Sequence, residues 1–173
     1  MPLTPRSIAT APTDPSAAAT STPSADDAPY APVAVASDLL GPLELPAEAL
    51  YTFPTGLYAF DGLTRWALVP AGREGLFWLQ SAERSGLVFL LADPFHWFPG
   101  YEADLPDAEL AQLEIARPEQ LALLVIVTLP GAPGETASAN LRAPIVLDPL
   151  GRRGRQLVLP DDRHPTRAPL ALG

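Results

Sequence analysis

Apolar positions along this chain come in short runs of five to nine residues, broken by clusters of proline, glycine or aspartate. That spacing predicts strands joined by turns rather than helices. Strands are expected at residues 43–45, 50–53, 65–69, 76–81, 87–92, 101–105, 121–129, 145–148 and 156–159. The run LALLVIVTL at 121–129 is apolar on both parities, so it predicts a central strand covered on both faces. Phe77 and Leu79 alternate with Trp78 and Gln80, the pattern of a strand with two different faces. One helix is expected from Asp107 to about Ile115, with Asp107 and Glu109 at the positive end of its dipole and Leu110 and Leu113 on one face. Pro118 prevents its continuing far. Residues 148–155 (DPLGRRGR) predict a loop or wide hairpin whose glycines supply unusual backbone angles. No internal repeat is visible.

Before this patterned region the chain is different in kind. Residues 1–40 are mostly Ala, Ser, Thr and Pro, with Tyr30 the only aromatic, and too little apolar surface to offset their ordering entropy. The expectation is a disordered tail over 1–40 and a single folded domain over 41–173. Its fold class is all-β: an antiparallel β-barrel or sandwich with one short helix. Composition agrees, since 22 prolines and 12 glycines among 173 residues exclude a helical bundle.

Charge and chemistry narrow the function. A net charge of -9, from 11 basic and 20 acidic residues, disfavours direct nucleic-acid binding. The absence of cysteine excludes disulfides, thiolate nucleophiles and the usual zinc and iron-sulfur sites. Prolines at 2, 5, 12 and 15 interrupt any secretory leader, and no apolar run approaches the roughly 20 residues of a membrane span. A soluble, cytoplasmic protein without membrane contact is the expectation. His96 and His164 share no metal-ligand spacing, no Gly-x-Ser-x-Gly elbow surrounds any serine, and Gly151-Arg-Arg-Gly-Arg155 lacks the lysine and setting of a phosphate loop. No catalytic residue, cofactor or metal is assigned.

Two features stand out. Asp93, Glu102, Asp104, Asp107, Glu109, Glu114 and Glu119 form an acidic run in which Arg117 is the only basic residue. Such a face is solvated, or it docks a basic partner; as paired carboxylates it would alternatively serve a carbohydrate-active enzyme. Immediately before it, Asp93-Pro-Phe-His-Trp-Phe-Pro-Gly-Tyr-Glu102 gathers Phe95, Trp97, Phe98 and Tyr101, residues typical of interface anchors and equally of buried loop packing. A generic β interaction module is a further alternative.

Taken in order, several segments resemble the FliW family of bacterial flagellar assembly factors. They are Phe53-Pro-Thr-Gly-Leu-Tyr-Ala-Phe60, Phe77-Trp-Leu-Gln-Ser81, the Asp93 to Glu102 segment, Val125-Ile-Val-Thr-Leu-Pro130, Asn140-Leu-Arg-Ala-Pro-Ile-Val-Leu147 and Arg152-Arg-Gly-Arg-Gln-Leu-Val-Leu159. The chain departs from the family pattern where Tyr58-Ala59 replaces a usual Pro-Gly step, at Gly100 in place of Asp, and at Arg167-Ala-Pro-Leu170 in place of Arg-His-Pro-Leu. The resemblance implies a non-enzymatic cytoplasmic regulator that binds newly made flagellin and sequesters CsrA, a repressor of flagellin translation. The partner-binding residues expected on this reading are Phe95, Trp97, Phe98, Tyr101, Glu102, Asp104, Gln80 and Asn140.

Overall fold

The computed structural model describes residues 31–112, 120–160 and 162–172. Its centre is a closed barrel. β3 (Leu50–Thr52), β4 (Arg65–Pro70), β5 (Leu76–Ser81), β6 (Val88–Ala92) and β7 (Ala122–Thr128) form an antiparallel meander. β9 (Ile145–Asp148) and β10 (Arg153–Gln156) then complete seven strands, β9 pairing with β7 and β10 lying parallel to β3. One edge of β7 is shared: Ala122–Leu124 face β9, whereas Val127 and Thr128 face β8 (Ala137–Ala139), which carries β11 (Ala168–Leu170) outside it. A separate ribbon pairs β1 (Val33–Val35) with β2 (Leu43–Leu45). The all-β expectation and the barrel hold.

Strand alternation divides the apolar residues into two cores. Inside the barrel, Tyr51, Phe53, Trp66, Phe77, Leu79, Leu91, Leu124, Ile145 and Leu147 pack together. Their aromatic contacts are edge-on or tilted, with Phe53 and Trp66 centroids 6.3 Å apart and Trp66 and Phe89 5.8 Å apart, arrangements that the ring quadrupole favours. On the outer face of β5, β6 and β7, the opposite parity (Leu76, Leu90, Leu123, Val125 and Val127) packs under residues 101–110, β8 and β11. β7 therefore serves both cores, as its unbroken apolar run requires.

Several local expectations are corrected. Residues 31–40 of the expected tail include β1, and Val35 is buried, because pairing with β2 satisfies backbone groups that composition alone leaves open. Residues 1–30 of that tail, and 113–119 of the expected helix and acidic run, lie outside the described residues. The helix itself is present as α2 (Asp107–Gln112). Residues 101–105 are not a strand: they cross the outer face with no neighbour to form a ladder. β10 begins at Arg153 rather than Gln156, so the connection from β9 is a tight turn. The left-handed residue in that turn is Arg152 (φ 53°), and neither neighbouring glycine supplies the angle. Gly154 has another purpose, since a Cβ there would stand 2.4 Å from the Phe53 ring.

Candidate partner-binding surface

The aromatic segment begins with a capped helical turn, α1 (Pro94–Trp97). Asp93 is its N-cap, its Oδ1 accepting from the Phe95 amide at 2.9 Å and the His96 amide at 3.4 Å, and Pro94 occupies the first helical position, where no amide hydrogen is needed. Asp93 is buried, so this acid is absorbed by the fold and is not part of an exposed acidic face. The Asp-Pro pair carries that signal in the sequence.

α1 is seated against the β4–β5 hairpin. The Trp97 indole Nε1 donates to the Gly75 carbonyl at 3.3 Å, and the Asp93 amide donates to the same carbonyl at 2.8 Å. Gly75 has φ 73°, and a Cβ on it would come within 2.9 Å of the His96 ring, so both backbone and packing demand glycine there. The Arg73 guanidinium lies 5.0 Å from the Trp97 ring centroid, a cation–π contact, and also donates to the Leu172 carbonyl. Phe95, Trp97 and Phe98, together with Trp78 of β5, are half-buried against the outer core and form its aromatic rim.

Beyond the rim, residues 101–105 alternate strictly: Tyr101, Ala103 and Leu105 are buried, and Glu102 and Asp104 are exposed. In extended chain two residues span about 7 Å, so the two carboxylates project side by side from one ridge. Asp107 continues it, exposed in the first turn of α2. Glu109 does not, since Arg155 Nη2 approaches its Oε2 to 2.8 Å while Arg155 Nη1 donates to Gln112. The ridge is braced from behind. The Tyr101 hydroxyl donates to the Leu141 carbonyl at 2.9 Å, the His164 ring packs against the Tyr101 ring with centroids 4.9 Å apart and planes tilted by 56°, and His164 Nε2 donates to the Glu102 carbonyl at 2.7 Å.

The eight residues expected at a partner surface therefore separate into two groups. Phe95, Trp97, Phe98, Glu102 and Asp104 are brought together on one side of the outer core. Tyr101 is buried beneath them as their support. Gln80 is fully buried, its Nε2 lying 2.9–3.2 Å from the carbonyls of Ser81, Arg84, Ser85 and Leu87, which share its two hydrogens, so it organises the β5–β6 loop. Asn140 caps a turn, Oδ1 accepting from the Arg142 and Ala143 amides at 3.2 and 3.1 Å. The surface also contains Trp78, whose parity in β5 opposite Phe77 and Leu79 is the sequence signal for it, and Asp107.

Glu102 and Asp104 stand on a ridge and do not face each other across a cleft, as paired carboxylates of a glycoside hydrolase would. Among the described residues no cluster of three or more His, Asp or Glu side chains is arranged to hold a metal ion, and no helix is long and apolar enough to cross a membrane.

Comparison with known proteins follows the same lines. A sequence model of the FliW protein family matches residues 34–170. A flagellar assembly factor FliW from Caldicellulosiruptor saccharolyticus is 36% identical over 133 residues, covering 77% of this chain and 87% of the relative. One from Symbiobacterium thermophilum is 39% identical over 128 residues, covering 73% and 92%. A crystal structure of a flagellar assembly factor FliW superposes with a TM-score of 0.71 at 31% identity, covering 79% of this chain and 96% of that one.

Proposed function

Because the chain belongs to the FliW family, we propose that it is a cytoplasmic flagellar assembly factor that binds flagellin and sequesters CsrA, relieving repression of flagellin translation. Flagellin and CsrA compete for the same pool of this protein. While unexported flagellin is abundant CsrA stays free; once flagellin is exported, the released protein captures CsrA.

The observation that supports this reading best is the alternation at residues 101–105, which sends Glu102 and Asp104 outward beside a half-buried aromatic rim. Basic groups of CsrA meet the ridge, and Phe95, Trp97 and Phe98 supply the apolar contact that desolvates its edge. Charge steering of this kind speeds association and is weakened by salt. Flagellin presents an apolar helical face, a mode that depends on shape rather than on charge.

Calorimetric titration of the full chain with flagellin and with CsrA, at low and moderate salt, tests the proposal. Binding to both is expected, with salt weakening the CsrA interaction more. The double variant Glu102→Gln, Asp104→Asn is expected to lower CsrA affinity by about 1–3 kcal/mol and to leave flagellin binding unchanged. An unchanged CsrA isotherm removes the ridge from the site, and failure to bind either partner removes the function.

A further inference from the structure

Closure of the barrel leaves its sheet with one free edge among the described residues, that of β11: β9 lies between β7 and β10, and β8 between β7 and β11. Register decides which backbone groups that edge presents. Ala168, Pro169 and Leu170 stand opposite Ala139, Ser138 and Ala137 in an antiparallel ladder. In such a ladder alternate residues exchange both bonds with their partners, and the residues between them turn amide and carbonyl the other way. Two observations agree on the phase. The Asn140 amide donates to the Ile126 carbonyl at 2.9 Å, in step with the rung of Ser138 and Thr128, so even-numbered residues here bond to β7 and the odd ones, Ala137 and Ala139, bond to β11. Pro169, for its part, has no amide hydrogen and cannot be an exchanging residue. Ala168 and Leu170 therefore bond inward, and Pro169 faces out.

Alternation continues past both ends of the strand. Ala168 and Leu170 are buried and Leu172 packs against the outer core, whereas Arg167, Pro169 and Ala171 are exposed. Where β8 ends, the inward side is still occupied, since the Arg73 guanidinium donates to the Leu172 carbonyl. The outward side of 167–171 pairs with no strand among the described residues. Such an edge is a template for another strand, and here it is complementary to itself. A second copy turned about a twofold axis through residue 169 sets 169 opposite 169 and 167 opposite 171. Arg167 then meets Ala171, so no like charges oppose the pairing.

We propose that Pro169 guards this edge and keeps the chain from pairing with a second copy of itself through β11. At the centre of the twofold register each copy would donate one amide hydrogen to the facing carbonyl. Proline supplies neither bond. Its ring Cδ stands where the hydrogen would be and holds the facing strand beyond the roughly 4.8 Å spacing of a ladder. The same residue removes no bond from the fold, because position 169 bonds to nothing in β8. The guard is independent of the Glu102 ridge, and its failure would leave the reading of that ridge untouched.

The test is sedimentation equilibrium of the full chain and of Pro169→Thr, up to millimolar concentration. Threonine restores the amide and suits a strand. Pro169→Thr should fold as the native chain does, by circular dichroism and thermal melt, and should dimerise with an association constant at least about ten-fold above that of the native chain. Amide hydrogen exchange should slow at positions 167, 169 and 171 as the dimer forms. Adding Ala171→Pro, which removes a second outward amide and none that bonds inward, should return the variant to a monomer. A Pro169→Thr chain that stays monomeric, that dimerises without protection at 167–171, that still dimerises with Ala171→Pro, or that fails to fold would each overturn the proposal, as would a native chain that dimerises with protection at Arg167 and Ala171.

Discussion

The two faces of the barrel sheet both bury apolar side chains yet are closed in opposite ways. The interior is sealed by strands on every side, and Phe53, Trp66, Leu79 and Leu124 are wholly inaccessible. The outer core is roofed by an irregular segment, a short helix and the strands β8 and β11, so its aromatic margin at Trp78, Phe95, Trp97 and Phe98 remains half in solvent. A sealed core contributes stability alone. A roofed core contributes stability at its centre and leaves at its margin the aromatic surface that the proposed recognition uses.

Substitution should separate the two. Trp66→Ala in the interior is expected to cost about 3–5 kcal/mol, against about 1–2 kcal/mol for Trp97→Ala at the margin, by urea denaturation. The same Trp97 variant should lose partner binding out of proportion to its stability. Equal losses of stability would break the comparison. Gly154→Ala presses a methyl group into the Phe53 ring and should cost about 1–3 kcal/mol, mostly by overpacking the interior. Tyr101→Phe removes the bond to the Leu141 carbonyl under the roof and should cost about 0.5–2 kcal/mol, with a further drop in partner affinity as the ridge loosens. The smallest effect sharpens the family departure at Tyr58-Ala59. Ala59 sits at φ 67°, a left-handed angle that glycine adopts freely, so Ala59→Gly should raise stability by up to about 1 kcal/mol in a thermal melt.

The sealed core was legible in the sequence because burial between strands imposes period-two alternation and continuous apolar runs. β4, β5 and β9 accordingly lie within a residue of their expected positions. β8 and β11 were not legible: Ala-Ser-Ala and Ala-Pro-Leu carry little apolar signal, and they are strands because β7 offers an edge to pair with. Residues 101–105 show the converse. Their alternation is real, yet it reports a chain lying on a core rather than one inside a sheet, and period alone does not distinguish the two. The acid and aromatic composition pointed to residues that the fold brings to one side of the outer core. It could not show that Asp93 is consumed as a cap, that Glu109 is consumed by Arg155, or that the Gln80 Nε2 and the Asn140 Oδ1 are taken up by backbone.

The parallel seam between β3 and β10, a single rung at Thr52 and Arg153, also bears on the order in which the chain acquires its structure. The meander from β3 to β7 is made of neighbours in sequence, but the Arg152 guanidinium that bonds to the Tyr51 hydroxyl and lies 5.5 Å from its ring belongs to a residue 101 positions later. Closing so long a loop is entropically expensive and comes late in folding. During synthesis, at about 5–20 residues per second, a nascent meander therefore waits several seconds with Trp66 and Phe77 unsealed until Arg153 leaves the ribosome. Truncations that stop short of β10 leave that surface open and should accumulate as aggregates rather than as smaller folded domains.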